Sequence, residues 1–325
     1  MATNGPGGRW TKAALALGAW RRCGREIVGG RCDIVHVHTS SYASFWRKSP
    51  VFALALACRM PLVVSLHGGG FRDFHAAGGW LRRAWIGLVM RRAARFVVLT
   101  DGWAHWARQV APRARVEVEP NTVALVGAPD ARCTERDLLL YLGRIEEQKG
   151  IGVLIEALAI ANRAGAGWRL ACGGEGGIDA ARSLAARHGV AAGSIDFAGW
   201  LNDVAKADFL TRCALLVLPS RAENMPVVVI EAFAHAKPVI ATRVGGLPDM
   251  VTPGADGWLV EPGDAAGLAQ ALLAAAAARG ALEAMGRAGR AKAFERYAPE
   301  RVKAQLAVIY AACVAERNKQ GTRAS

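Results

Sequence analysis

The chain reads as an α/β protein of two doubly wound domains, each an open parallel sheet with helices on both faces. Three observations point there. Short apolar runs alternate with stretches of helical period through all 325 residues, the pattern of strand–helix–strand units that build a covered parallel sheet. The length suits about two domains with sizeable cores. A hydrophobic content of 52% with 21% charge argues against disorder.

Taken in order, residues 10–27 read as a helix, and the first strand as 33–38, where Asp-Ile-Val-His-Val-His alternates at period two. Apolar runs predict further strands at 61–66, 95–100 and 116–118, with a helix over 78–94. The segment 126–137 is polar and unpatterned, and the domain boundary is placed in it, near 132. Beyond it come strands at 138–142, 168–172, 195–197, 214–218, 238–242 and 257–260. Helical segments fall at 150–164, 179–188, 203–210, 228–235 and the Ala-rich 265–296. The domains are therefore 1–131 and 132–298, and one more amphipathic helix covers 298–318.

Seven cysteines are scattered without a C-x-x-C pair, which predicts neither a disulfide framework nor a Cys-based zinc site and suits a reducing cytosol. No apolar stretch reaches about 18 uncharged residues, and the N-terminus shows no basic-then-apolar leader. The net charge of +14 is uneven: residues 1–127 carry +12 and the remainder +2. Seven of the ten Trp (10, 20, 46, 80, 85, 103 and 106) lie in the basic half. Cations beside interfacial Trp suit an anionic lipid surface. The helix around Trp80–Arg95 is either an amphipathic element lying flat on a bilayer or a core helix with a solvated Arg face. Nucleic acid is disfavoured, because no zinc-finger spacing or leucine-zipper basic region occurs.

The chemistry-bearing residues cluster after predicted strands. Glu223 and Glu231 bracket a strand-to-helix turn, Glu223-Asn224-Met225-Pro226-Val227, at the carboxyl end of a strand, where open parallel sheets place ligands. The other reading is two solvated carboxylates favoured by a helix dipole. Gly143-Arg144-Ile-Glu-Glu-Gln-Lys149-Gly150 follows the first strand of the second domain, and its cations suit an anionic leaving group. His67-Gly68-Gly69-Gly70 ends a strand of the first domain. It resembles the oxyanion loop of ester hydrolases, but no G-x-S-x-G elbow exists to complete one. Gly173-Gly174-Glu175-Gly176-Gly177 is compatible with a dinucleotide turn whose acidic partner is met only ambiguously by Asp196. Pro120-Asn121-Thr122-Val123 reads as a structural Asn turn. His36 and His38 share one strand face with no third metal ligand in view, and read as structural.

The E-x7-E spacing of Glu223 and Glu231, Pro226, the Gly245-Gly246-Leu-Pro248-Asp249 turn and the G-R-x4-K-G segment together resemble family 4 retaining glycosyltransferases (group 1) of GT-B fold. The resemblance covers roughly 30–318, with its specific motifs mostly in the second half. It implies two Rossmann-like domains facing a cleft, with 299–325 returning to the first, acceptor-side domain, and a nucleotide-sugar donor held by the second. Glu231 would hold the ribose hydroxyls. Glu223, with the backbone after it at Asn224, Met225, Pro226 and Val227, would meet the transferred sugar and phosphates. Arg144 and Lys149, on the Gly143 turn, would clamp the donor diphosphate in place of a metal, with Gly174 near the nucleotide. His67, Gly68 and Gly69 would face the sugar. Retention without an evident carboxylate nucleophile favours front-face attack, in which a donor phosphate oxygen takes the acceptor proton. No cofactor or metal is expected, and no Asp-x-Asp motif occurs. The expected partners are the donor, a saccharide or lipid-linked acceptor of the cell envelope, and an anionic membrane surface. The expected location is cytoplasmic and peripheral on the inner face of the membrane.

Departures accompany the matches. Asn224-Met225 stands where the family often has glycine, and Asp249 where Glu is commoner. The family opens on a strand and a glycine-rich loop, whereas this chain enters a helix after Gly5–Gly8. One or two opening strands of the first domain are therefore expected to be missing. A non-catalytic nucleotide-sugar- or membrane-binding remnant is the alternative function. A nicotinamide oxidoreductase is disfavoured, since the first domain lacks G-x-G-x-x-G after an opening strand.

Overall fold

A computed structural model describes residues 9–125 and 135–321. The chain divides into two compact units: one ends at Pro120 and resumes at Val302, and the other runs Asn121–Arg301. The boundary expected near 132 and the Gly5–Gly8 loop lie outside the described residues.

The first unit comprises α1 (Arg9–Val28), β1 (Val35–Thr39), α2 (Ala43–Ala57), β2 (Leu62–Leu66), α3 (Phe71–Ala76), α4 (Trp80–Arg92), β3 (Arg95–Val98), α5 (Asp101–Val110) and β4 (Val116–Val118). The second comprises β5 (Leu138–Leu142), α6 (Ile151–Arg163), β6 (Arg169–Gly173), α7 (Ile178–Arg187), β7 (Ile195–Gly199), α8 (Asp203–Arg212), β8 (Leu215–Leu218), α9 (Val227–Ala234), β9 (Val239–Thr242), α10 (Leu247–Met250), β10 (Gly257–Val260), α11 (Ala265–Ala277) and α12 (Leu282–Arg296). Helix α13 (Pro299–Gly321) follows, and its residues from Val302 group with the first unit.

In the first unit four parallel strands lie in the order β1-β2-β3-β4. Period-two alternation sends Leu62, Val64 and Leu66 of β2 into the main core, with Phe45, Phe52, Phe71, Phe74 and Trp103. Val63 and Val97 turn to the other face, where α13 covers them with Ile309, Cys313 and Tyr310. No described strand pairs with the outer edge of β1. The stripe of α4 is spent inside this unit: Ile86, Val89 and Met90 are buried, and Trp85 donates its indole N–H to Ser49 Oγ at 3.0 Å. Of the two readings of this helix the core one therefore holds for the stripe. Trp80 and Leu81 at its N-terminus stay exposed.

In the second unit six parallel strands run β10-β9-β8-β5-β6-β7. From β5 the chain winds outward through β6 and β7, then returns to β8 on the other side of β5. The carboxyl ends of β5 and β8 are thus the point where winding reverses and a crevice opens. Every residue of β5 and β8 is buried, which explains why both read as unbroken apolar runs. Among the described residues no single helix is long and apolar enough to cross a membrane.

Candidate active site

The turn after β5 carries Arg144 and Lys149, and three contacts fix its path. Tyr141, buried in β5, donates its hydroxyl to the Arg144 carbonyl at 2.7 Å. Gly143 N–H donates to the Gly173 carbonyl at 3.0 Å, and Ile145 N–H to the Glu175 carbonyl at 2.8 Å, so this turn is zipped to the glycine turn after β6. Gly174 (φ +153°) permits the approach, since a Cβ there would stand 1.9 Å from the Gly143 carbonyl oxygen. The far end of the turn docks on the loop after β8, where Arg221 N–H donates to the Gln148 carbonyl at 2.9 Å. Lys149 is thereby delivered to Glu223, Nζ to Oε1 2.6 Å.

The Glu223 segment is held from behind. Asn121 donates its side-chain amide to the Met225 carbonyl at 2.8 Å, and Gly246 N–H donates to the Asn224 carbonyl at 2.8 Å. Asn224 and Met225 are buried, at 6% and 4% exposure. Helix α9 then starts at Val227 after Pro226, with no side chain capping its first amides. The N–H groups at such a helix start are unpaired donors at the positive end of the dipole.

These pieces line one cavity of about 850 Å³, within the second unit. Gly143, Arg144, Lys149, Gly174, Glu223, Pro226, Val227 and Glu231 are all on its wall, as are Trp200, Asp203 and Lys206. Sequence reasoning missed Lys206, a lone Lys in an amphipathic helix with no motif around it. Its Nζ lies 2.6 Å from Glu231 Oε1 and 3.3 Å from Asp203 Oδ1. Burial works against the Lys206 ammonium, but these two carboxylates outweigh it and hold its pKa above the usual lysine value. The wall thus carries two carboxylate–ammonium pairs beside an open helix start. Asn224 and Met225 shape it from behind, without lining it.

His67, Gly68 and Gly69 are in the first unit, at the carboxyl end of β2. Gly68 is where the loop after β2 touches the loop after β1, since a Cβ there would lie 2.3 Å from Ser40 Oγ. His38 Nδ1 and His67 Nε2 share a hydrogen bond of 2.8 Å. His36 lies between Tyr310 (Nδ1 to the hydroxyl, 2.6 Å) and Ser65 (Nε2 to Oγ, 2.7 Å). Loss of water and the neighbouring imidazoles push His36 down to about 4. Loss of water, His38 and Lys48 do the same to His67, also to about 4, so both are neutral at pH 7. Among the described residues no group of three or more His, Cys, Asp or Glu is arranged to hold a metal.

Glu119, just after β4, has its carboxyl pushed up to about 7 by burial. A raised carboxyl binds its proton more tightly folded than unfolded, so its contribution to stability is full below about pH 4.5 and is lost as pH rises through about 7. Glu119→Gln is expected to stabilise the protein by about 1–3 kcal/mol at pH 8 and to change little at pH 4. The histidine contributions, which run the other way, cancel between the two proteins. Denaturation of both across pH 4–8 checks this, and a constant difference refutes it.

Comparison with known proteins identifies the family and the fold. A family model described as "Glycosyl transferase 4-like domain" matches residues 3–122 and one described as "Glycosyl transferases group 1" matches 136–277. Glycogen synthase of Mycobacterium tuberculosis is 30% identical over 262 residues, which are 74% of this chain and 59% of that protein. The chain thus spans about three fifths of the length of this curated relative. Sucrose-phosphate synthase from Thermosynechococcus elongatus superposes with a TM-score of 0.77 at 21% identity, covering 98% of this chain and 81% of that one. Anabaena HepE in complex with UDP superposes at 0.76 and 17% identity, covering 92% and 82%. Two adjoining family models, two parallel Rossmann-like sheets and a cavity at the winding reversal of the second converge: the chain belongs to the family 4 glycosyltransferases of group 1, with the GT-B fold.

Proposed function

We propose that this protein transfers a sugar from a nucleotide-sugar donor to an acceptor hydroxyl, with retained anomeric configuration and without a metal. The observation that carries this reading is the second unit's cavity, where Lys149–Glu223 and Lys206–Glu231 stand beside the uncapped start of α9. A nucleoside diphosphate is complementary to that arrangement. Its diphosphate meets the α9 amides, Lys149 and Arg144, and these offset the charge that grows on the departing group. Glu231, oriented by Lys206, accepts from the two ribose hydroxyls. Trp200, 76% exposed on the cavity wall, offers an indole face to the base. Glu223, oriented by Lys149, accepts from sugar hydroxyls. As the glycosidic bond loosens, a donor phosphate oxygen takes the proton of the attacking acceptor on the same face, so the enzyme supplies position and charge. His67 is read as neutral and able to bond the sugar as donor or acceptor.

The acceptor is read as a saccharide or lipid-linked saccharide of the cell envelope, and the location as the cytoplasmic face of a membrane. Support comes from the +12 charge of residues 1–127 and from an exposed apolar group formed by Trp46, Trp80 and Leu81 beside Arg82, a composition suited to anionic lipid.

A thermal-shift screen of nucleoside diphosphates and their sugars tests the donor reading. UDP is the first probe, because it is the ligand of the superposed HepE. A ligand at 100 times its Kd is expected to add about 2.7 kcal/mol, a rise of a few degrees for a chain of this size. No rise with any nucleotide diphosphate would falsify the reading. Binding without transfer or hydrolysis would assign the chain to the non-catalytic alternative.

A further inference from the structure

The first unit holds a second cavity, of about 500 Å³, at the amino-terminal ends of β2 and β3. It opens at the end of β2 opposite to His67, roughly 15 Å away along the strand, and nothing in the proposed transfer uses it. Five arginines line it, Arg59, Arg91, Arg92, Arg115 and Arg317, over an apolar floor of Leu56, Met60, Leu62 and Leu88.

Charge bookkeeping decides what such a pocket accepts. Arg115 is engaged by Glu316, and Arg317 by Asp33 at 3.3 Å and the Cys32 carbonyl at 3.2 Å. Arg59, Arg91 and Arg92 are exposed and have no acidic partner among the described residues. The carboxyl ends of α2 and α4 also face this region, and each helix end contributes roughly half a negative charge. Arginines in a last helical turn are ordinarily explained by that dipole alone. Two helix ends offset about one of the three uncommitted charges, which leaves about two.

Arg59 also has an unusual backbone conformation. It follows the α2 C-cap, Cys58, with φ +53°, the left-handed position that closes a helix and favours glycine. The closing bonds are both present, Met60 N–H to the Ala55 carbonyl at 2.8 Å and Arg59 N–H to the Leu56 carbonyl at 3.2 Å. The fold therefore asks for glycine there, and the chain supplies a cation that lines the cavity.

From these observations we infer that this arginine cavity is a second anion site, which takes a phosphate-bearing ligand of about two negative charges, a phosphomonoester or diphosphate, through Arg59, Arg91 and Arg92. A single carboxylate leaves the charge unmatched, whereas phosphate oxygens match both charge and the guanidinium fork. The apolar floor admits a hydrophobic group attached to the phosphate, so the source is either a soluble phosphoester or a lipid headgroup.

Titration of the full chain with inorganic pyrophosphate tests the inference, with Arg59→Gly and Arg91→Gln/Arg92→Gln each made in the wild type and in an Arg144→Ala/Lys149→Ala background. Each pocket variant is expected to weaken one binding event by roughly tenfold or more in both backgrounds. Arg59→Gly should melt no lower than its parent, since it relieves the left-handed backbone. Failure of the donor reading appears as indifference to Arg144→Ala/Lys149→Ala, and failure of this inference as indifference to the pocket variants. A second arm compares phosphatidylcholine vesicles with and without phosphatidic acid. Arginine-dependent binding only to the acidic vesicles assigns the phosphate to lipid. Pocket variants that alter neither pyrophosphate nor acidic-vesicle binding overturn the proposal.

Discussion

Lys149→Ala is expected to lower turnover by roughly 10²–10³-fold, the usual cost of losing one preorganised donor to a developing anion. Lys149 sits 2.6 Å from Glu223, and the two side chains are only 29% and 11% exposed. On the proposed reading, removing the ammonium would take away charge facing the departing diphosphate, and it also leaves a mostly buried carboxylate unpaired. The second effect lowers stability by about 1–3 kcal/mol, less than for a fully buried pair because Lys149 still meets solvent. Lys149→Ala/Glu223→Gln separates the two. The neutral amide no longer needs a counter-charge, so the melting temperature should recover while turnover stays low. Initial rates with the donor found by the thermal screen, beside melting curves of all three proteins, check this. Wild-type turnover by Lys149→Ala sinks the role given to it.

Gly245→Ala is expected to be nearly as damaging from outside the cavity. Gly245 has φ +55°, and a Cβ there would lie 1.7 Å from the Glu223 carbonyl oxygen. The obstacle is backbone, so no side-chain rotation relieves it, and the segment from Glu223 to Met225 must move. A displacement near 1 Å in a positioning group costs on the order of 10² in rate, and the strain removes about 2–4 kcal/mol of stability. Gly254→Ala is the control. Gly254 has φ +79° with no atom within 4 Å of the added Cβ, so it should cost about 1 kcal/mol and leave turnover unchanged. Equal kinetic losses in the two variants would show that left-handed strain alone, and not the Glu223 contact, is responsible.

Much of the fold was legible because strands buried on both faces are written as apolar runs. All ten expected strands are present in the parallel sheets, with ends shifted by at most two residues. The helices α2, α3, α5 and the four-residue α10 were not foreseen. In α2, Pro50 interrupts the run Ala43–Ala57, and α3, at six residues, is too short to show a period. The Ala-rich stretch 265–296 is two helices parted by a short 3₁₀ turn at Arg279–Ala281, because alanine favours helix whether or not the axis bends.

Within the site, Glu223, Glu231, Arg144 and Lys149 were visible because each lies in a motif of fixed spacing after a strand. Asn224 and Met225, whose backbone was expected near the ligand, have buried side chains, and Gly246 and Asn121 bond their carbonyls. His38 was read as structural, and its ring shares a hydrogen bond with His67, a pairing that the sequence alone does not show.

The sequence by itself determined the alternation of strand and helix, the charge asymmetry and the carriers of the two carboxylates and two cations, since these depend on residue type and local period. The tertiary structure alone decided that Lys206 faces Glu231, that Glu119 loses much of its water, and that Arg59, Arg91, Arg92, Arg115 and Arg317 meet around one cavity. Those pairings join residues far apart in the chain, and their energies come from distance and excluded water, which only the folded backbone sets.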